Sequence, residues 1–387
     1  MSKILNKNIP KLNFKDISNK YTDQMETNGI SRREFIKFCT AIAATLSMPY
    51  SFASEIAKSI SSSKRPTVIW LHFQECTGCT ESLLRATHPT VENLVLEMIS
   101  LDYSETLSTA AGYQVEEVLH NSVDENKGKF ILVVEGSIPL AQDGIFCKIG
   151  NRTAVEIIQD IGPKAAATVA IGSCASWGGV QASFPNPTEA TGIEEIYKMF
   201  NINNTVINLP GCPASPYNIL SVILYYLTLN KLPELDKQSR PKFAYSTLIH
   251  ELCERRPHFD AGRFAEQYGD YGHREGWCLY KIGCKGPETY ANCPSILYGD
   301  VGTWPVNTGH PCFGCAEHGV GFSKPMHEQA SIFSATPPVA FPEIEENKGF
   351  GITPGAAAVA GTLAGLAIGA GAMAAKHLGN KSQENEE

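Results

Sequence analysis

Twelve cysteines punctuate this chain, and ten of them stand in patterns that could bind a metal centre. Cys76 and Cys79 form a Cys-x-x-Cys, Cys174 follows in Gly172-Ser173-Cys174, and Cys212 in Pro210-Gly211-Cys212-Pro213. Further on come His250-x-x-Cys253, Cys278-x5-Cys284, Cys293 and Cys312-x-x-Cys315. Thiolate and imidazole are the soft and borderline donors that iron–sulfur clusters and zinc select. The four thiolates between residues 76 and 212 match a four-cysteine site. The seven ligands in the 66 residues from 250 to 315 divide most simply into one site of four and one of three.

Each group has an ordinary alternative. A lone Cys-x-x-Cys also reads as a thioredoxin-like redox pair. The Gly and Pro residues flanking Cys174 and Cys212 argue against it, because they shape turns around something inserted between loops. An isolated His250 would be a core or surface histidine; three residues before Cys253 on a helix-like stretch, it shares a face with that thiol. Zinc is the rival metal, since sites of three cysteines and one histidine are common. A three-thiolate set is a poor closed zinc site, whereas a three-iron cluster needs only three thiolates. Cys147 has no partner at ligand spacing and reads as a buried thiol.

The elements that position these ligands follow from the apolar pattern. Short runs at residues 67–73, 95–101, 130–135, 167–171 and 205–209 predict buried strands, and the helical stretches between them predict βαβ units. An open, parallel α/β domain over 66–235 results. Cys76, Cys79, Cys174 and Cys212 then lie in loops at the carboxyl ends of strands, the edge where such sheets place ligands. Residues 241–336 are rich in Gly, Pro, Tyr, His and Cys with few long apolar runs. A bound group would replace the missing hydrophobic burial there.

Both ends of the chain read as targeting segments. Ser31-Arg32-Arg33-Glu34-Phe35 precedes an apolar run over 38–48 and the small-x-small sequence Ser51-Phe52-Ala53, so 1–53 resembles a twin-arginine export signal that would carry Cys39 away with it. Residues 352–375 contain no charged side chain. At about 1.5 Å per residue they span a bilayer core, and a glycine at every fourth position (Gly361, Gly365, Gly369) offers a helix-packing stripe. Residues 337–351 read as a linker, and 376–387 as a cytoplasmic tail. The rival for 352–375 is a buried Ala/Gly helix.

With 387 residues the chain has room for about two to three domains, so disulfide stapling is unnecessary. The net charge of -8 conceals a leader at +4 and a remainder at -12. Lys and Arg form no basic stripe, which excludes a nucleic-acid partner.

Glu75-Cys76-Thr77-Gly78-Cys79-Thr80-Glu81, Gly172-Ser173-Cys174-Ala175, Leu209-Pro210-Gly211-Cys212-Pro213 and Gly309-His310-Pro311-Cys312-Phe313-Gly314-Cys315 strongly resemble the small subunit of membrane-bound nickel–iron uptake hydrogenases. The resemblance extends over nearly the whole chain, including both targeting segments. It implies a flavodoxin-like domain with a proximal 4Fe–4S cluster on Cys76, Cys79, Cys174 and Cys212, followed by an irregular iron–sulfur domain. That second domain would hold a distal 4Fe–4S cluster on His250, Cys253, Cys278 and Cys284 and a medial 3Fe–4S cluster on Cys293, Cys312 and Cys315. Pro305 corresponds to the family proline that replaces a fourth medial thiolate.

The resemblance also implies a nickel–iron large subunit as partner in a heterodimer, where H2 is oxidised, and a membrane cytochrome b that takes electrons on to quinone. The body would lie on the periplasmic side of the inner membrane. No residue of this chain is a firm catalyst, with Glu75 a candidate proton-path residue. Oxygen-tolerant members carry extra cysteines where Gly78 and Gly179 stand here, which implies oxygen sensitivity. The alternatives are a membrane-anchored iron–sulfur subunit of another exported oxidoreductase, or a non-enzymatic exported protein held by disulfides or zinc. The ferredoxin-type Cys-x-x-Cys-x-x-Cys-x-x-x-Cys-Pro run usual in the former is not present.

Overall fold

In the computed structural model the described residues are 65–338, apart from 88, 89, 230, 299 and 300, together with parts of 39–56. The proposed anchor at 352–375, the tail and most of the leader lie outside them. No helix among the described residues is long and apolar enough to cross a membrane.

Five strands form one parallel sheet: β1 (Thr67–His72), β2 (Ser100–Ser104), β3 (Ile131–Glu135), β4 (Ala167–Ile171) and β5 (Val206–Leu209). Their order is β2-β1-β3-β4-β5, the flavodoxin-type arrangement. Val, Ile and Leu dominate because both faces are covered. Val68, Trp70, Val133, Val169 and Ile207 point into one apolar cluster, while Ile69, Leu71, Leu132, Val134 and Ala170 point into the other, as the two-residue period of a strand requires.

The second strand differs from its sequence expectation at 95–101. Leu94–Met98 is a π-helical turn, and the strand begins only at Ser100, which pairs with Thr67. A short apolar run does not distinguish buried helix from buried strand by period. Leu94 and Met98, four residues apart, are both buried, which is a helical solution to the same composition.

The helices that cover the sheet are α1 (Gly78–Leu84), α2 (Tyr113–Glu125), α3 (Ala154–Ile161), α4 (Gly172–Trp177), α5 (Ile193–Met199) and α6 (Pro216–Leu229). α3 starts at a capping box: the Glu156 amide donates to Thr153 Oγ1, and the Thr153 amide donates to the Glu156 carboxylate. α2, α3 and α5 bury Leu119, Ile158 and Ile196 on one face of the sheet, whereas α1 and α6 bury Leu83 and Leu220 on the other.

Beyond Pro241 the described residues form only short helices and turns, among them α7 (Ile249–Leu252), α8 (Arg256–Asp260) and α9 (Cys293–Ile296). Tyr245, Ile249, Leu279 and Trp304 nevertheless belong to the same apolar cluster as Val68 and Trp70. Of the described residues before 57, Cys39, Ile42, Leu46, Ala53 and Ile56 are buried in that cluster too.

Candidate metal centre

The carboxyl edge of the sheet gathers the first four thiols. Cys76 and Cys79 follow β1, Cys174 sits in α4 directly after β4, and Cys212 follows β5. Glycine is required where these loops approach one another. Gly172 has φ +80°, and a Cβ on it would stand 2.5 Å from Cys79 Sγ. Burial raises the Cys174 and Cys212 thiols to about 11, and the neighbouring thiols, Cys76 among them, add to the effect. Cys79 is buried and accepts the Ala214 amide on its sulfur at 3.4 Å. Cys76 and Cys212 are exposed.

The remaining candidate side chains lie in the segment beyond Pro241. His250, Cys253, Cys278 and Cys284 line a single cavity with Arg255 and Arg256. Cys293, Cys312 and Cys315 interact with one another. All twelve cysteines are free thiols. Burial pushes the Cys79, Cys253 and Cys312 thiols well up, and neighbouring thiols add to the effect. Burial likewise raises Cys278 and Cys293 to about 12. Such thiols are inert by themselves, and a positively charged core is what would ionise them.

His250 provides a sharper test of the fit. The ring is 4% exposed, and Nε2 has no hydrogen-bond partner. Phe259 holds the ring edge-on, with centroids 4.4 Å apart. Burial and then Arg256 lower its pKa to about 4, so the imidazole is neutral and its nitrogen lone pair is available to a metal. A buried, unpaired nitrogen beside three thiols fits a ligand. Among the described residues no three His, Cys, Asp or Glu side chains converge tightly enough for a single metal ion. Cys147 stands apart as a half-buried thiol raised to about 11, mainly by burial.

A polar group beside Cys76 and Cys79 was not legible as a unit in the sequence. Glu135, at the end of β3, accepts the amides of Cys79 (2.9 Å) and Thr80 (3.1 Å) and the Thr80 hydroxyl (2.5 Å). His72 Nδ1, at the end of β1, lies 3.5 Å from Glu75 and 3.7 Å from Glu135. Glu105 accepts the His72 amide, and burial raises its pKa to about 7. Only the strand-end positions of His72 and Glu135 hinted that they would meet Glu75.

Two family models match the chain. Residues 76–226 match the family model described as NADH ubiquinone oxidoreductase, 20 Kd subunit, and 245–328 match the C-terminal family model of the NiFe/NiFeSe hydrogenase small subunit. The Hydrogenase-2 small chain of Escherichia coli K12 is 51% identical over 93% of this chain and 96% of its own length. The periplasmic NiFe hydrogenase small subunit 1 of Nitratidesulfovibrio vulgaris is 48% identical over 76% and 92%. Among solved structures, the reduced, active Ni-Fe-Se hydrogenase of Desulfomicrobium baculatum aligns with a TM-score of 0.64 and 32% identity, covering 69% of this chain and all of that one.

Proposed function

The chain belongs to the small-subunit family of NiFe hydrogenases, and on that premise we propose that its gathered side chains hold three iron–sulfur clusters for H2 oxidation. Cys76, Cys79, Cys174 and Cys212 hold a proximal 4Fe–4S cluster; His250, Cys253, Cys278 and Cys284 a distal 4Fe–4S cluster; Cys293, Cys312 and Cys315 a medial 3Fe–4S cluster. When bound, these groups supply one-electron carriers arranged in series. The protein's part is to fix their ligands, keep water away from the buried ones and direct N–H dipoles at sulfur.

The observation that carries this reading is the buried, unpartnered His250 Nε2 in a cavity that it lines together with Cys253, Cys278 and Cys284. The exposed Cys76 and Cys212 mark the side that meets the nickel–iron large subunit. Beside them Gln181 Nε2 donates to the Gln74 carbonyl, holding a loop whose Val180 and Phe184 are 58% and 98% exposed. Apolar surface of that kind marks an interaction face. Glu75, 3.5 Å from the His72 ring, is positioned to hand protons away from that interface.

The leader at 1–53 would export the folded body to the periplasmic side, and 352–375 would anchor it in the inner membrane beside a cytochrome b that reduces quinone. The uncharged 24-residue run supports the anchor. The test is iron, sulfide and nickel analysis of the native complex. About eleven irons per small subunit with one co-purifying nickel is the expected result. A colourless protein containing zinc would overturn the reading. Truncation after residue 351 should release the enzyme from membranes.

A further inference from the structure

Ser173 is 1% exposed and lies between the first four thiols and the three-thiol group. Its hydroxyl donates to the carbonyl of Cys315 at 2.7 Å and accepts the amide of Gly211 at 3.1 Å. Its own amide donates to the Gly211 carbonyl at 2.9 Å. Ser173 precedes Cys174, and Gly211 precedes Cys212. One hydroxyl therefore clasps three ligand-bearing loops, two from the sheet edge and one from the segment beyond Pro241.

We propose that Ser173 is a positioning residue for electron transfer between the proximal and medial groups, holding Cys174, Cys212 and Cys315 in a fixed mutual arrangement. The inference rests on the cluster reading above. A serine hydroxyl can donate once and accept twice, so it satisfies both loops at one point. Alanine leaves the buried Cys315 carbonyl and Gly211 amide without that partner, and the loops are free to separate. Electron transfer falls steeply with separation, and partners behind metal ligands typically govern about 10- to 100-fold in affinity or activity.

The test uses the holoenzyme heterodimer carrying Ser173→Ala or Ser173→Thr. Rapid-freeze EPR follows reduction of the medial centre by H2, while H2/D+ exchange reports the nickel–iron centre without the relay. Ser173→Ala should slow medial reduction by about tenfold or more, leave iron content and exchange near parental values, and shift the medial potential. Ser173→Thr, which keeps the hydroxyl, should restore the parental rate. The proposal is overturned if Ser173→Ala reduces the medial centre at the parental rate, if exchange falls in parallel, or if Ser173→Thr is as slow as Ser173→Ala. Failure of Ser173→Ala to assemble its clusters makes the residue structural and also overturns the positioning role. A parent enzyme without a three-iron signal would instead sink the cluster reading itself.

Discussion

The amide of Cys312 donates to the sulfur of Cys284 at 3.3 Å, so a member of the three-thiol group is bonded directly to a member of the His250 group. The Lys285 amide in turn donates to the Cys312 carbonyl at 2.8 Å, which makes the contact a two-point backbone clasp. Hydrogen bonds to cluster sulfurs are one lever on reduction potential. The His250 group and the three-thiol group thus meet through backbone groups on both sides.

His250 offers a side-chain test at that end. Replacing His250 with Ala removes the neutral donor and should cost the distal centre, about four irons, while H2/D+ exchange persists. Electron delivery to an external dye should fall by about tenfold or more. Iron analysis with parallel dye and exchange assays distinguishes this from global damage.

Glu135 satisfies the first amides of α1 from the end of β3. Glu135→Ala leaves buried donors unpaired and should destabilise the protein by about 1–3 kcal/mol. Glu135→Gln, which keeps one acceptor oxygen, should lose less. Thermal unfolding of both variants measures the difference; equal melting temperatures for parent and Glu135→Ala would refute it.

Glu105 carries a pH signature. Burial raises its pKa from 4.5 to about 7, so the folded state prefers the protonated acid. Its favourable contribution is complete below about pH 4.5 and is lost as pH rises through about 7. Glu105→Gln should flatten that decline in a plot of melting temperature against pH. An unchanged slope between the two proteins would show that Glu105 is not its source.

Gly78 and Gly179 predict that hydrogen oxidation decays under air, and sustained aerobic turnover would count against this. The structure adds that Gly179 has φ +62° and that a Cβ there would stand 2.6 Å from Cys174 Sγ. Gly179→Cys should therefore lower iron content and melting temperature rather than confer tolerance. Iron analysis after aerobic and anaerobic purification decides the matter.

Local features of the sequence determined much of this protein. Apolar runs located four of the five strands, and the positions of Cys76, Cys79, Cys174 and Cys212 just after strand ends placed them at the carboxyl edge of the sheet, where the structure has them. These signals are short-range: strand period, turn residues and Cys spacing depend on neighbours. Tertiary structure decided what depends on distant partners. Leu94–Met98 turned helical because the strand register pairs Thr67 with Ser100. Spacing left Cys293 unassigned between two groups, and packing set it beside Cys315. The convergence of His72 and Glu135 at Glu75, and of Ser173 on Cys315, joins residues up to 142 apart, and only the folded sheet edge brings such positions within hydrogen-bond reach.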